Sequence, residues 1–354
     1  MRMNGNSVLM KGNDAMAEAA IIAGCRHYFG YPITPQNEVP AYMARRMPEV
    51  GGTFLQSESE IAAINMVFGA AAAGVRVMTS SSSPGISLKQ EGLSYIAATH
   101  LPCVIANIQR AGPGLGGIGP AQGDYFQSVK GGGHGDYRLV VLAPSSVQEM
   151  ADLTVLAFDI ADKYRIPVML LADAVVGQLT EPVVLPAASD APGIPKPWAL
   201  TGAKGRPPNV IRSYFPSPEE ILANNVRLQE KYARIGSELQ PMCEEFLADD
   251  ADLLLVGYGI SGRVAKSVAI ELRKAGFKTG VLRPVLLWPF PKKVFLRHAG
   301  RVKRFFVIEM SYGQMVEDVK LAIDCSVAVD FYGISGGFLP SEDDIMQRVR
   351  EVMS

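Results

Sequence analysis

The sequence predicts an α/β protein: a doubly wound parallel sheet followed by a second, smaller α/β domain. Three observations carry this. Short, near-continuously apolar runs alternate with amphipathic helix-like stretches, the pattern of parallel strands covered on both faces. A chain of 354 residues is long enough for two domains. The alternation stops over residues 173–217, where prolines gather, and resumes near residue 250.

Taken in order, strands are predicted at 26–31, 75–79, 102–108, 138–143 and 167–172. Between them lie helix candidates at 12–24, 36–47, 58–73, 87–99 and 146–163. The run Ser145-Ser146-Val147-Gln148-Glu149 has the form of a capping box ahead of an amphipathic stretch. Residues 173–217 read as an ordered crossover, because Trp198, Tyr214 and Phe215 are too apolar for free disorder. A long helix is expected over 219–248. Strands at 252–258, 278–282, 304–310 and 327–332 then alternate with helices at 261–275, 312–325 and 342–352. The resulting division is a first domain over 1–190, a linker with a helix over 191–249, and a second domain over 250–354.

Composition narrows the function classes. Apolar residues make up 48% and charged residues 19%, as in soluble globular enzymes. A net charge of −1 gives no basic footprint for nucleic acid. No apolar run is long enough for a membrane span, and no secretory signal opens the chain. The expected compartment is the cytoplasm. Cys25, Cys103, Cys243 and Cys325 are far apart, with no CxxC pair. A disulfide framework, a zinc site or an iron–sulfur cluster held by this chain alone is not expected.

Six stretches could carry chemistry. Tyr31-Pro32-Ile33-Thr34-Pro35 follows an apolar run and precedes a helix-like stretch. Its prolines fix φ and restrain the residues before them, presenting the Thr34 hydroxyl at a strand end. The same residues fit a plain strand-to-helix connection with Pro35 at the first helical position. Ser57-Glu58-Ser59-Glu60 opens a helix that continues through the small residues 69–74. A carboxylate there suits the helix dipole whether or not it has a further role. Thr79-Ser80-Ser81-Ser82-Ser83-Pro84-Gly85 offers hydroxyls and amides at a helix start, for an anion or as a simple cap. Arg110 ends a strand beside the glycine-rich run 112–117, where it could grip a carboxylate or lie solvated. His134 sits among glycines in Gly131-Gly132-Gly133-His134-Gly135-Asp136, as a titrating group or part of a turn. Gly257-Tyr258-Gly259-Ile260-Ser261-Gly262 matches the dinucleotide fingerprint, but the next strand ends in Leu282-Arg283-Pro284 and lacks the acidic residue a nicotinamide dinucleotide needs.

Together the segments 30–38, 56–74, 79–93, 107–117, 122–137 and 283–291 resemble the alpha subunit of the 2-oxoacid:ferredoxin oxidoreductases. Gly-Pro-Gly-Leu-Gly-Gly at 112–117 and the segment 122–137 resemble the branched-chain, 2-oxoisovalerate type. The resemblance implies a thiamine-diphosphate pyrimidine-binding-type first domain and a transketolase C-terminal-like second domain. It implies that Glu60 hydrogen-bonds the aminopyrimidine, favouring the imino tautomer whose nitrogen removes the thiazolium C2 proton. Pro32 and Ile33 would line the cofactor, Thr34 and Pro32 the substrate, and Arg110 would hold the substrate carboxylate. Thiamine diphosphate would be shared with a beta subunit carrying Mg2+. Iron–sulfur clusters, a gamma subunit and a ferredoxin-type subunit would be partners, with ferredoxin as electron acceptor and coenzyme A as acyl acceptor. Ser83 stands where relatives often carry glycine, and would be strained if φ there is positive. The small-residue helix over 60–73 would contact the beta subunit. Two other readings remain: a nicotinamide-dependent dehydrogenase using residues 257–262, and a scaffold that kept the fold without the chemistry.

Overall fold

A computed structural model describes residues 7–187 and 194–353. Its elements in chain order are β1 (Val8–Lys11), α1 (Gly12–Ile22), β2 (His27–Gly30), α2 (Glu38–Glu49), β3 (Thr53–Gln56), α3 (Glu60–Ala72), β4 (Val77–Ser81) and α4 (Pro84–Ala98). There follow β5 (Cys103–Gln109), α5 (Tyr125–Val129), β6 (Val140–Leu142), α6 (Val147–Tyr164), β7 (Pro167–Asp173), α7 (Ala174–Gln178), β8 (Thr180–Val183) and α8 (Pro218–Glu238). The remainder comprises β9 (Cys243–Phe246), β10 (Leu253–Val256), α9 (Gly259–Lys274), β11 (Thr279–Pro284), β12 (Leu286–Trp288), α10 (Lys292–Ala299), β13 (Arg304–Glu309), α11 (Met315–Ala322), β14 (Ala328–Gly333) and α12 (Glu342–Met353).

The first sheet has the order β12-β6-β7-β5-β4-β2-β3, and the second β14-β13-β10-β11-β9. Both are parallel except for one antiparallel edge strand each, β12 against β6 and β9 against β11. The central strands β5 and β7 are buried along their whole length, which is why they read as unbroken apolar runs. The α/β class and the two sheets agree with the expectation. A strand from the C-terminal part completes the first sheet: Leu286 pairs with Leu142, and Ala143 N donates to Val285 O (2.7 Å). One apolar cluster spans both sheets, from Ile64 and Ile105 to Val256 and Val307, with Tyr125 and Tyr258 in contact across it (5.8 Å).

The helix expected over 219–248 is a correction. The α8 helix ends at Glu238, Pro241 cannot continue it, and Cys243–Phe246 pairs instead as β9 along Val281–Pro284. Likewise α2 begins at Glu38, so Pro35 belongs to the preceding turn and is not the first helical residue. The capping box is present: Ser146 Oγ accepts from Glu149 N (3.2 Å), and Glu149 reaches back to Ser145 N (2.8 Å).

Candidate active site

Strands β5, β4, β2 and β3 lie side by side, and their C-terminal ends lead to Arg110, Ser83, Thr34 and Glu60 respectively. Strand ends of open α/β sheets are where ligands bind. The topology therefore gathers residues far apart in sequence along one sheet edge.

The 31–35 turn is held by hydrogen bonds as well as by its prolines. Pro35 O accepts from Asn13 Nδ2 (3.0 Å) and Gln178 Nε2 (2.9 Å), and Gln36 N donates to Ile33 O (3.0 Å). The Thr34–Pro35 peptide is cis. Pro32 is exposed, whereas Ile33 and Thr34 are half-buried. Arg110 is only 7% exposed and meets this turn: Nη1 donates to Thr34 O (3.0 Å) and Nη2 to Leu115 O (2.8 Å). Its Nε is buried without a partner among the described residues. Arg110 lines a cavity of 520 Å3, Thr34 lines another of 490 Å3, and their hydrogen bond joins the two walls. The guanidinium is thus already oriented by carbonyls, and an incoming carboxylate would use the donors that remain.

Glu60 opens α3 directly after the Ser59 cap, whose Oγ accepts from Ala62 N (3.2 Å). Its side chain is 5% exposed and makes no hydrogen bond among the described residues. It lies against Gly85 at the start of α4, where a Cβ would stand 2.5 Å from Glu60 Oε1 and also strike Ser81 Oγ. The hydroxyls of Ser81 and Ser82 are buried without partners among the described residues. No hydrogen bond or ion pair joins Glu60 to Thr34 or Arg110 among the described residues. Gly85 and Ser83, two residues apart, link its niche to the Arg110 cavity.

Ser83 has φ 27°, a backbone conformation that L side chains rarely adopt. Its hydroxyl offsets the strain: Oγ donates to Asp124 Oδ2 (2.6 Å) and accepts from Arg110 N (3.0 Å). Asn107 completes the lock, accepting from Ser83 N (3.0 Å) and donating to Asp124 (2.9 Å). Burial pushes the Asp124 carboxyl up, against the pull of Ser83 and Asn107.

Lys89, Asp124 and Asn107 escaped the reading of the sequence. Lys89 is fully buried on α4, donates to Thr79 Oγ1 (2.8 Å), and is pushed down to about 7 by burial, against the attraction of Glu60. The available signal was a lysine on the helix face that carries Ile86, Leu93 and Ala97. For Asn107 it was an amide in an otherwise apolar strand.

Two candidates remain. His134 lies exposed in its glycine loop. At the fingerprint, Gly259 has φ 53°, but the start of α9 is already occupied. Ile260 N donates to Asp173 Oδ2 (2.9 Å), and Ser261 Oγ donates to Gln122 Oε1 (2.8 Å). Arg283, standing where an acid was required, binds Glu149 and Glu244. Of these glycines Gly259 lies against Asp173 and Gln122, while Gly257 and Gly262 pack within their own turn and against Arg283, and with the acidic residue missing the nicotinamide reading is set aside.

The chain matches known proteins in sequence and in fold. Residues 18–243 match the family model described as pyruvate flavodoxin/ferredoxin oxidoreductase, thiamine diphosphate-binding, and 251–345 match pyruvate:ferredoxin oxidoreductase core domain II. The chain is 52% identical to the ketoisovalerate oxidoreductase subunit VorB of Methanothermobacter thermautotrophicus, over 97% of both chains. Among solved structures it resembles a 2-oxoglutarate:ferredoxin oxidoreductase from Magnetococcus marinus, with TM-score 0.85 and 26% identity over 100% of this chain and 66% of that one. It shares the fold of a split-gene transketolase, with TM-score 0.58 and 13% identity, covering 97% of each chain. The chain belongs to the thiamine diphosphate-binding pyruvate flavodoxin/ferredoxin oxidoreductase family, as one subunit of a 2-oxoacid:ferredoxin oxidoreductase.

Proposed function

We propose that this chain is the alpha subunit of a branched-chain enzyme that decarboxylates 2-oxoisovalerate-type acids oxidatively to acyl-coenzyme A and carbon dioxide. The observation that carries the site assignment is Glu60: a buried carboxylate without a hydrogen-bond partner among the described residues, at a strand end. The niche fits one end of a thiamine diphosphate molecule. It offers that carboxylate, two unpartnered hydroxyls, and a glycine where a side chain would collide. Exposed apolar residues flank it, Ile61 on α3 and Leu88 on α4. When bound, the cofactor supplies a nucleophilic carbon for the 2-oxo group and holds the electrons left as carbon dioxide departs.

In this reading Glu60 shares a proton with the aminopyrimidine ring. Pro32 and Ile33 pack beside it, and Thr34 and Pro32 shape the substrate turn. Arg110 orients the substrate carboxylate with its remaining N–H donors. The α3 face bearing Ile61, Asn65, Gly69 and Ala73 is exposed and small enough for close approach by a beta subunit. No group of His, Cys, Asp and Glu among the described residues is arranged to hold a metal. The reading assigns Mg2+ to the beta subunit and iron–sulfur clusters to further partners, a gamma and a ferredoxin-type subunit, with ferredoxin and coenzyme A as acceptors. Residues 1–190 would form the pyrimidine-binding-type domain, 191–249 the linker and 250–354 the transketolase C-terminal-like domain, in a cytoplasmic complex. Among the described residues no helix is long and apolar enough to cross a membrane.

The substrate preference rests on the resemblance to the VorB subunit. The test is a 2-oxoacid panel on the assembled complex, with coenzyme A and a viologen dye. Coenzyme A-dependent reduction should be fastest with 2-oxoisovalerate. Preference for 2-oxoglutarate, pyruvate or an aryl 2-oxoacid would keep the chemistry and overturn the substrate. Glu60→Gln should abolish turnover with assembly intact. Unchanged turnover would remove Glu60 from its role, and inactivity of the wild-type complex would favour the scaffold reading.

A further inference from the structure

At the opposite edge of the first sheet the surface opens into a basic groove. His100 lies just before β5 and Arg165 just before β7, where these parallel strands begin. The groove has lobes of 370 and 630 Å3 that share His100, Arg165 and Arg227. The smaller lobe adds Lys231 and Arg234 from α8, and the larger adds Trp198 and Phe215. Glu230 is the only carboxylate among the described lining residues.

The cations here divide into two kinds. Arg234 pairs with Glu238 (3.8 Å), and Arg212 with Glu220 (2.7 Å). Arg165, Arg227 and Lys231 have no carboxylate partner among the described residues. Arg165 Nε donates to His100 O (3.0 Å) while its guanidinium covers the Trp198 ring at 4.4 Å. Arg227 Nη2 donates to Asn224 Oδ1 (3.3 Å), and Lys231 Nζ donates to Arg165 O (2.8 Å). Three neighbouring cations without counter-charge repel one another, and burial adds a desolvation cost for Arg165 and Lys231. His100 (φ 55°) and Arg165 (φ 51°) both hold the left-handed conformation in which glycine is free of strain, yet both positions carry side chains that line the groove.

We propose that this groove is a second ligand site, for a phosphorylated small molecule of nucleotide size. Its phosphates lie between Arg165, Arg227 and Lys231, and its planar ring lies in the larger lobe beside Trp198 and Phe215. Guanidinium forks match phosphate oxygens, and the larger lobe has the volume of an ordinary small-molecule pocket. The groove lies at the strand starts, away from the strand-end site, and the proposal does not depend on the function assigned there.

Protonation supplies an independent signature. Lys231 faces His100 and Arg165 across the groove, and Arg227, Glu230 and Arg234 on its own helix. Burial first, then Arg165 and Arg234, pushes Lys231 down to about 7, while burial takes His100 to about 4 and leaves it neutral. A bound phosphate favours charged Lys231, so binding takes up a proton, and affinity falls as pH rises above about 7.

The test is isothermal titration calorimetry of the full chain with inorganic pyrophosphate and with ADP. Both should bind saturably, ADP more tightly, and more weakly at pH 8.5 than at pH 6. Arg227→Gln and Lys231→Met should each weaken binding about tenfold or more. Arg110→Gln, at the other end of the sheet, should leave it unchanged. Arg227 is exposed, so Arg227→Gln is expected to fold, as circular dichroism would verify. The proposal is overturned if neither probe binds saturably, if Arg227→Gln binds like wild type, or if Arg110→Gln abolishes binding. ADP binding no tighter than pyrophosphate would overturn the ring lobe.

Discussion

Ser83 sets backbone strain against hydrogen bonding in one residue. Its φ of 27° costs roughly 1–2 kcal/mol for an L side chain. Its hydroxyl lies 2.6 Å from Asp124 Oδ2 and 3.0 Å from Arg110 N, and its removal leaves both buried groups a partner short. The carboxylate bond is worth roughly 1.5–3 kcal/mol and the amide bond about 1. Ser83→Gly loses the bonds but relieves the strain, for a net loss of about 1–2 kcal/mol. Ser83→Ala loses the bonds and keeps the strain, for about 3 kcal/mol. The expected order of melting temperatures is wild type, then Gly, then Ala, spaced by a few degrees and read by circular dichroism under matched scans. The deficit should shrink as pH falls. Losing Ser83 raises the Asp124 carboxyl further, and that cost applies only while the group is charged. In the assembled complex KM for the 2-oxoacid should rise more than kcat falls, because Ser83 Oγ accepts from the Arg110 amide. A Gly variant more stable than wild type, or an Ala variant matching Gly, would refute this account.

Two further perturbations test other parts of the molecule. Lys89 binds its proton at about 7 when folded and at about 10.5 when unfolded, so stability rises with pH across that window. Lys89→Met should therefore stabilise the chain by several kcal/mol near pH 7, an order-of-magnitude figure from the shift, and by nothing of this origin above about pH 10.5. A melting difference that does not change with pH would reject the buried-amine account. Gly259→Ala would bring a Cβ within 2.6 Å of Asp173 Oδ2 at φ 53°, and should lower stability by roughly 2–3 kcal/mol. NADH should bind neither this variant nor the wild type, and saturable NADH fluorescence enhancement would restore the nicotinamide reading.

The sequence revealed those elements whose stability is local. Buried strands such as Cys103–Gln109 and Pro167–Asp173 are continuously apolar, and α6 carries its own capping box. The elements that escaped depend on partners remote in sequence. The short strand Thr53–Gln56 is mostly exposed and exists because it pairs with His27–Gly30, while Cys243–Phe246 exists because β11 offers an open edge. The site divides similarly. Thr34, Glu60 and Arg110 stand at strand ends flanked by visible turn signals. Lys89, Asp124 and Asn107 matter through side-chain contacts with positions 10 to 41 residues away, which no local pattern encodes. The fingerprint shows the converse: a motif local in form, in which Gly259 lies against Asp173 and Gln122 and the next two residues hydrogen-bond to them, a tertiary reason.

The hydrogen bonding of the two regions distinguishes a finished interface from an open one. Where the two sheets meet, polar groups are heavily used. Gln122 Nε2 donates to Tyr258 O (2.8 Å), and its Oε1 accepts from Ser261 Oγ (2.8 Å) and Met310 N (3.1 Å). Glu309, buried beneath α11, accepts from Ser311 Oγ (2.9 Å), Met315 N (3.0 Å) and Val316 N (2.9 Å). At the ends of β4 and β5 the same chain leaves Ser81 Oγ, Ser82 Oγ and Arg110 Nε without hydrogen-bond partners among the described residues, near a buried Glu60 carboxylate that attracts Lys89 but makes no hydrogen bond there. Unpaired buried polar groups cost roughly 1–3 kcal/mol each and are rare in finished interiors. Others lie at Asn13, His27, Gln90, Gln109, Gln127 and Thr279, so this group is set apart by its place: Arg110 lines an open cavity and Ser81 borders the same Gly85 position as Glu60, where the proposed function puts a ligand that the chain does not itself supply.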